Sequence, residues 1–321
     1  MLCSYSPKLF FILLLHLFLA NAEPIPSLPN LRKLSFHEGY TQIFGDNNLM
    51  LHHEGKKVHI SLDERTGSGF RSQESYLHGF FSASIKLPSD YTAGVVVAFY
   101  MSNGDVYEKT HDELDFEFLG NVRGKDWRIQ TNVYGNGSTS VGREERYGLW
   151  FDPTEDFHQY SILWTYNNII FYVDDTPIRE VERIPSSGAY FPSKPMSLYA
   201  TIWDGSQWAT SGGRYKVNYK YAPYIAEFTD LVLHTCGNHQ ALPCGSASLL
   251  SPEQRLSMES FRRRYMTYGY CYDRIRYPVP LAECHVGPER ELYLMSGELR
   301  AYERRRHMKR RSWRGTADPG F

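Results

Sequence analysis

The chain is 321 residues long, 42% hydrophobic, 15% aromatic and 22% charged, with a formal net charge of −1. This composition excludes a disordered or collagen-like polypeptide and supplies enough apolar material for a large core. A near-neutral total also excludes a dedicated nucleic-acid binder, because such domains are strongly basic.

In chain order, the first element is a targeting segment. Lys8 precedes the apolar run Leu9 to Ala20, and Ala20-Asn21-Ala22 forms a small-x-small site before Glu23. Residues 1–22 therefore read as a cleaved secretory signal. The run is shorter than the roughly 20 residues that span a bilayer, so no membrane partner is expected. Removing Lys8 leaves a net charge of about −2 by the same charge reading.

From about residue 40 to 235 the hydrophobic period is two. In "FFSASIKLP", Phe81, Ala83, Ile85 and Leu87 alternate with Ser82, Ser84 and Lys86. "AGVVVAFYMS" is a β-branched and aromatic run suited to a central strand. "WRIQTNVY" sets Ile129, Thr131 and Val133 opposite Arg128, Gln130 and Asn132. "HQYSILWTYNNIIFYVDD" reads as two strands around an Asn167-Asn168 turn, and "MSLYATIWDG" and "APYIAEFTDLVLH" add two more. Many short strands with Gly, Asn and Pro turns predict an all-β fold, an antiparallel sandwich or jelly roll in one large domain over 23–235.

"HDELDFEFLG", residues 111–120, carries the chemistry. On a strand, Asp112, Leu114, Phe116 and Phe118 share one face, and His111, Glu113, Asp115 and Glu117 the other. Glu113 and Glu117 are then about 13 Å apart at Cα, and inclined side chains close much of that gap. Carboxyl groups about 5–5.5 Å apart suit a retaining glycosidase, and about 6.5–9.5 Å an inverting one. Asp115 lies between them, and three crowded carboxylates cannot all ionise cheaply, so at least one pKa should rise. A solvated charged face and a hard-cation site built from His111, Glu113, Asp115 and Glu117 are the competing readings. Calcium takes its oxygen ligands largely from loops, which a straight strand imitates poorly. Neither Asp112 nor His111 receives a catalytic role.

Past the sandwich, Cys236, Cys244, Cys271 and Cys284 remain once the signal takes Cys3. An even count in a secreted chain implies two disulfides. Three pairings are possible, and the close spacings favour Cys236–Cys244 and Cys271–Cys284. Between them lies one helix, with Ser251 as N-cap, Pro252 at its first position, Glu253 in the first turn and Leu256, Phe261 and Tyr265 at roughly helical spacing. Residues 236–290 are expected to form an extension packed on the sandwich. Arg300 to Gly315 holds eight Arg or Lys against one Glu. Residues 291–321 therefore read as a disordered basic tail, either solubilising or a tether to an acidic polysaccharide.

The acidic strand resembles the signature strand of the plant xyloglucan endotransglucosylase/hydrolases, within glycoside hydrolase family 16. "FGDNNL", "TGSGFRS", "IQTNVY", "GLWFDPTEDFHQYSILW", "IWDGSQWATSGG" and "YCYDRIRYPVPLAEC" resemble family segments in the family's order, from about Phe36 to Cys284. The resemblance implies a β-jelly roll with a long open cleft and a C-terminal extension with two disulfides. It makes Glu113 the nucleophile, Glu117 the acid/base and Asp115 their auxiliary. It also implies sugar contacts from Glu117, Gln130, Thr131, Asn132, Gly142, Arg143, Glu144, Gln207, Trp208, Gly212 and Arg276. Gly142 stands where the family has Asn, and Gln207 where it has Asp. The family's usual sequon after the catalytic strand is absent, since Arg123 follows Asn121-Val122, and Asn136-Gly137-Ser138 is the one acceptor sequence.

These features imply cleavage of the β-1,4-glucan backbone of xyloglucan with retention, and transfer to another xyloglucan chain or an oligosaccharide. Hydrolysis is the alternative. A non-catalytic carbohydrate-binding sandwich and a mixed-linkage β-glucanase are the further competitors. The chemistry calls for no metal and no organic cofactor. A monomer, secreted to the plant cell wall and apoplast, is expected.

Overall fold

The computed structural model describes residues 31–124, 126–184, 191–236 and 250–284. The segment read as a secretory signal, Cys244 and the segment read as a basic tail lie outside the described residues.

In chain order the strands are β1 (Tyr40–Phe44), β2 (Leu49–His52), β3 (Lys57–Leu62), β4 (Ser68–Ser72), β5 (Gly79–Lys86) and β6 (Val95–Ser102). There follow β7 (Glu113–Leu119), β8 (Arg128–Tyr134), β9 (Glu145–Tyr147), β10 (His158–Trp164), β11 (Asn168–Val173) and β12 (Thr176–Glu182). The last three are β13 (Ser197–Asp204), β14 (Tyr224–Thr235) and β15 (Met266–Gly269). They form two antiparallel sheets, one in the order β1-β4-β13-β6-β7-β8-β9-β15 and the other β12-β11-β10-β5-β14-β3-β2. The result is the expected all-β sandwich.

Period-two alternation explains why the sheets stack. Val97, Phe99 and Met101 of β6 and Leu114, Phe116 and Phe118 of β7 point inward and are wholly buried. They meet Tyr160, Ile162 and Trp164 of β10 and Ile169, Phe171 and Val173 of β11 in one core. Phe116 packs edge-on against Phe171 at 5.2 Å, and Phe118 against Tyr160 at 4.6 Å. Such edge-to-face contacts suit the ring quadrupoles. Filling one face of β7 with apolar side chains leaves its other face free for charge.

The β10–β11 turn lies one residue earlier than expected. Trp164 pairs with Ile169, and the backbone and hydroxyl of Thr165 both bond to Asn168. Asn168 therefore opens β11, and Tyr166 and Asn167 make the turn.

The C-terminal helix spans Pro252–Tyr265, and the Ser251 hydroxyl accepts from Gln254 N in a capping box. Losing such a cap costs about 1 kcal/mol, so Ser251→Ala is expected to lower the unfolding free energy by about that amount in a urea titration. Leu256, placed with Phe261 and Tyr265 at roughly helical spacing, is 65% exposed. It lies five residues from Phe261, which places it off the face that Phe261 defines. Gln254, Met258, Phe261 and Tyr265 make the packed stripe instead. After the helix, β15 joins the larger sheet by pairing with β9. A Cys271–Cys284 disulfide then staples the end of this segment.

Candidate active site

The cleft lies on the outer face of the larger sheet, and cross-strand register assembles it. Glu113 stands opposite Ser102 of β6 and Tyr134 of β8; Asp115 opposite Tyr100 and Asn132; Glu117 opposite Ala98 and Gln130. Glu113, Asp115, Glu117, Gln130 and Asn132 thus share one surface, with Glu144 and Arg146 from the β9 side. Phe44, Thr201, Trp203 and Trp208 complete the lining of a cavity of about 570 Å³. β7 gives way to Gly120, where a Cβ would lie 2.0 Å from the carbonyl oxygen of Thr92, so only glycine fits.

The three carboxylates titrate apart from ordinary carboxylates. Burial raises Glu117 to about 7, against the Gln130 hydrogen bond and the Arg146 charge, while Glu113 and Glu144 add to the rise. Burial also holds Asp115 well above the usual range, helped by Glu113, Glu117 and Glu144 and opposed by the Asn132 hydrogen bond. Glu113 is raised by burial, with a Ser102 hydrogen bond and the nearby His111 pulling it down. All three are raised by burial, and Glu113 is the one with both a hydrogen bond and a nearby histidine pulling it back down.

Several expected contacts need correction. Thr131 is fully buried on the core face, and Arg179 Nη1 donates to both its hydroxyl and its carbonyl at 3.0 Å. Alternation along β8 sends Gln130 and Asn132 outward and therefore Thr131 inward. Arg143 is 2% exposed and its side chain pairs with Glu283 at 3.2 Å rather than lining the cleft; its backbone N–H instead fixes Asn132 Oδ1 at 2.9 Å. Gln207 is exposed, Gly212 sits in a turn with φ +65°, and neither lines the cavity. Trp208, from the same loop, does line it, 6.0 Å from Trp203.

Gly142 and Arg276 stand behind Glu144. Arg276 grips the Glu144 carboxylate with Nη1 at 2.5 Å and Nη2 at 3.2 Å. The Gly142 carbonyl accepts from Tyr277 Oη at 2.6 Å, and a Cβ there would fall 2.4 Å from Arg276 Nη2. Gly142 thus makes room for the Glu144–Arg276 pair.

Asp112 and His111 precede β7. Asp112 is fully buried and accepts from the backbone N–H groups of Asn136, Ser193 and Lys194 at 2.6, 2.8 and 2.9 Å, and from Lys194 Nζ at 3.0 Å. It knots two loops to the start of β7. The His111 ring lies 6.3 Å from that of Tyr134. Tyr100, Tyr134, Arg146, Thr201, Trp203 and Phe44 were not singled out by sequence; alternation on β6 and β8 was the available signal for the two tyrosines. Among the described residues there is no grouping of three or more His, Cys, Asp or Glu side chains that could hold a metal ion. No described helix is long and apolar enough to cross a membrane.

Comparison with known proteins agrees with this geometry. The glycosyl hydrolases family 16 model matches residues 36–221, and that of the xyloglucan endo-transglycosylase C-terminus matches residues 240–284. The probable xyloglucan endotransglucosylase/hydrolase protein 27 of Arabidopsis thaliana is 62% identical over 312 residues, covering 91% of this chain and 92% of its own. Protein 30 of the same series and plant is 54% identical over 318 residues, covering 93% and 92%. Among solved structures, a Bacillus licheniformis β-glucanase superposes with a TM-score of 0.50 at 24% identity, over 66% of this chain and 97% of that one, and shares the fold. With both of its parts matched and relatives this similar along nearly the whole chain, the protein belongs to the xyloglucan endotransglucosylase/hydrolase family of glycosyl hydrolase family 16.

Proposed function

We propose that the protein is a xyloglucan endotransglucosylase. The observation that carries the reading is the row Glu113, Asp115, Glu117 on the floor of an open, aromatic-walled cleft. Glu113 attacks the anomeric carbon of a backbone glucose while Glu117 gives its proton to the leaving glycosidic oxygen. The C–O bond breaks, the reducing-end fragment departs, and a glycosyl ester forms on Glu113. Glu117, now ionised, takes the proton from a sugar 4-hydroxyl whose oxygen attacks the anomeric carbon; the bond from that carbon to the Glu113 oxygen breaks, freeing the carboxylate with configuration retained. When water attacks instead, the result is hydrolysis. Asp115, held neutral, removes one negative charge from the face and eases ionisation of Glu113. Gln130, Asn132 and Glu144 are the proposed polar contacts with sugar, Trp208 a stacking surface, and Arg276 the support of Glu144.

The wider proposal is a catalytic sandwich over 23–235 with a C-terminal segment over 236–290 that extends the cleft-bearing sheet. We place the mature protein outside the cell, in the apoplast, as a monomer with a glycan on Asn136, an exposed side chain in a tight turn. The 291–321 tail would hold it to acidic wall polysaccharide.

Gel filtration of xyloglucan incubated with enzyme and a labelled oligosaccharide tests the function: label is expected to enter polymer, whereas a binding sandwich leaves chain lengths unchanged. Mixed-linkage β-glucan as sole donor is expected to be a poor substrate, and a preference for it would overturn the assignment. Because the first step requires a proton on Glu117, kcat/KM is expected to fall as pH rises through about 7.

A further inference from the structure

Glu117, Gln130, Arg146 and Tyr268 stand opposite one another on four successive strands, β7, β8, β9 and β15. They form a single row from the cleft to the sheet edge. Gln130 Nε2 donates to Glu117 Oε2 at 2.5 Å, and Arg146 Nε donates to Gln130 Oε1 at 2.5 Å. The Arg146 guanidinium lies over the Tyr268 ring, 5.4 Å from its centroid. Tyr268 is itself buried and donates to Asp273 Oδ2 at 2.9 Å.

A glutamine amide can present either its oxygen or its amino group by a half-turn about its last bond. Arginine offers donors only. Arg146 therefore takes the Gln130 oxygen and leaves the amino group facing Glu117. A permanent donor on Oε2 keeps that oxygen an acceptor, so the carboxyl proton must sit on Oε1, the oxygen left for the glycosidic bond. We propose that Arg146 is a positioning residue for the acid/base: it locks the Gln130 amide, and the C-terminal strand β15 holds Arg146 in place through the Tyr268 ring. This rests on the reading of Glu117 as the acid/base.

The charges around Glu117 give the row a second effect. Glu113 and Asp115 face it from its own strand, Glu144 and Arg146 from the β9 side, and the Tyr100 hydroxyl from β6. Burial and the neighbouring glutamates favour the protonated form, and Gln130 and Arg146 oppose them. Glu117 must be an acid in the first half-reaction and a base in the second. Without Arg146 it would keep its proton to higher pH and serve the second half poorly.

The test is the carboxyl ¹³C titration of Glu117 without substrate, its signal assigned by loss in Glu117→Gln, together with the pH dependence of transfer. In Arg146→Gln the midpoint is expected to move to higher pH, and kcat to fall roughly ten- to hundredfold, as misplacement of a catalytic group does. kcat should fall more than kcat/KM, because deglycosylation needs the base. Tyr268→Phe keeps the ring and should leave the midpoint unmoved. A folded Arg146→Gln with an unmoved midpoint overturns the proposal. If that variant does not fold, Tyr268→Leu carries the test: a smaller alkaline shift supports the proposal and an unmoved midpoint overturns it. The titration needs no xyloglucan, so a shifted midpoint in a protein that fails to transfer would sink the proposed function alone.

Discussion

Glu113→Ala is expected to lower kcat for transfer by on the order of 10⁴-fold or more, the scale of losing a covalent nucleophile. The variant should nevertheless stay folded. Glu113 faces the cleft, while Leu114, Phe116 and Phe118 alone bind β7 to the core. Its removal also takes a negative charge from a face where Asp115 and Glu117 are already pushed toward protonation by their neighbours. Labelled-acceptor transfer and a thermal melt on the same preparation separate the two effects. Activity within tenfold of wild type would remove Glu113 from the nucleophile role. An equal loss of activity and of melting temperature would make it a structural residue.

Arg262→Met is expected to destabilise the protein by about 3 kcal/mol, the scale of breaking a buried ion pair by removing one partner, with Arg179 left as the remaining cation. Arg262 grips Glu145 with two bonds, at 2.6 and 2.8 Å, and its Nη1 also reaches Tyr147 Oη at 3.0 Å. Arg179 lies 3.5 Å from the same carboxylate. Burial alone would raise Glu145, but the two arginines pull it from an ordinary 4.5 to about 2. A depressed folded-state pKa contributes stability above the unfolded value and loses it as pH falls. The wild-type advantage should therefore hold at neutral pH and fade between about pH 4.5 and 2. Urea titrations at pH 7 and pH 3 measure it. Equal stability of variant and wild type at pH 7 would show that the network does not hold the helix to the sheet. The same variant reaches the active site through the chain, because Glu145 is adjacent to both Glu144 and Arg146.

The fold was legible because alternation is a local property. β5, β8, β10, β11, β13 and β14 lie within segments the sequence marks as strands of period two, β6 lies in the β-branched and aromatic run, and the two faces of β7 separate by simple parity. Parity also contained the correction at Thr131: the Gln130–Asn132 triplet cannot contribute three consecutive side chains to one face of a strand. Arg143 and Arg146 show what a single sequence hides. Both sit in one short charged stretch, yet one turns inward to Glu283 and the other bonds to Gln130 on the cleft face. Only the register of β8 on β9, and of β9 on β15, distinguishes them, and register is set by partners far along the chain. Asp112 was placed on the apolar face of the strand, and its purpose depends on loops at Asn136 and Ser193 that no local pattern brings near. Leu256 shows a simpler limit: an apolar residue on a helix need not lie on its packed stripe.

The most direct test of Glu113 as the attacking carboxylate is trapping of the covalent intermediate. A xyloglucan oligosaccharide carrying 2-fluoro substitution and an activated leaving group at the reacting glucose should form the ester and release it slowly. Peptide mass mapping of the inactivated enzyme is expected to place one sugar adduct on Glu113. An adduct on Glu117, or turnover with no adduct at all, would contradict the assignment.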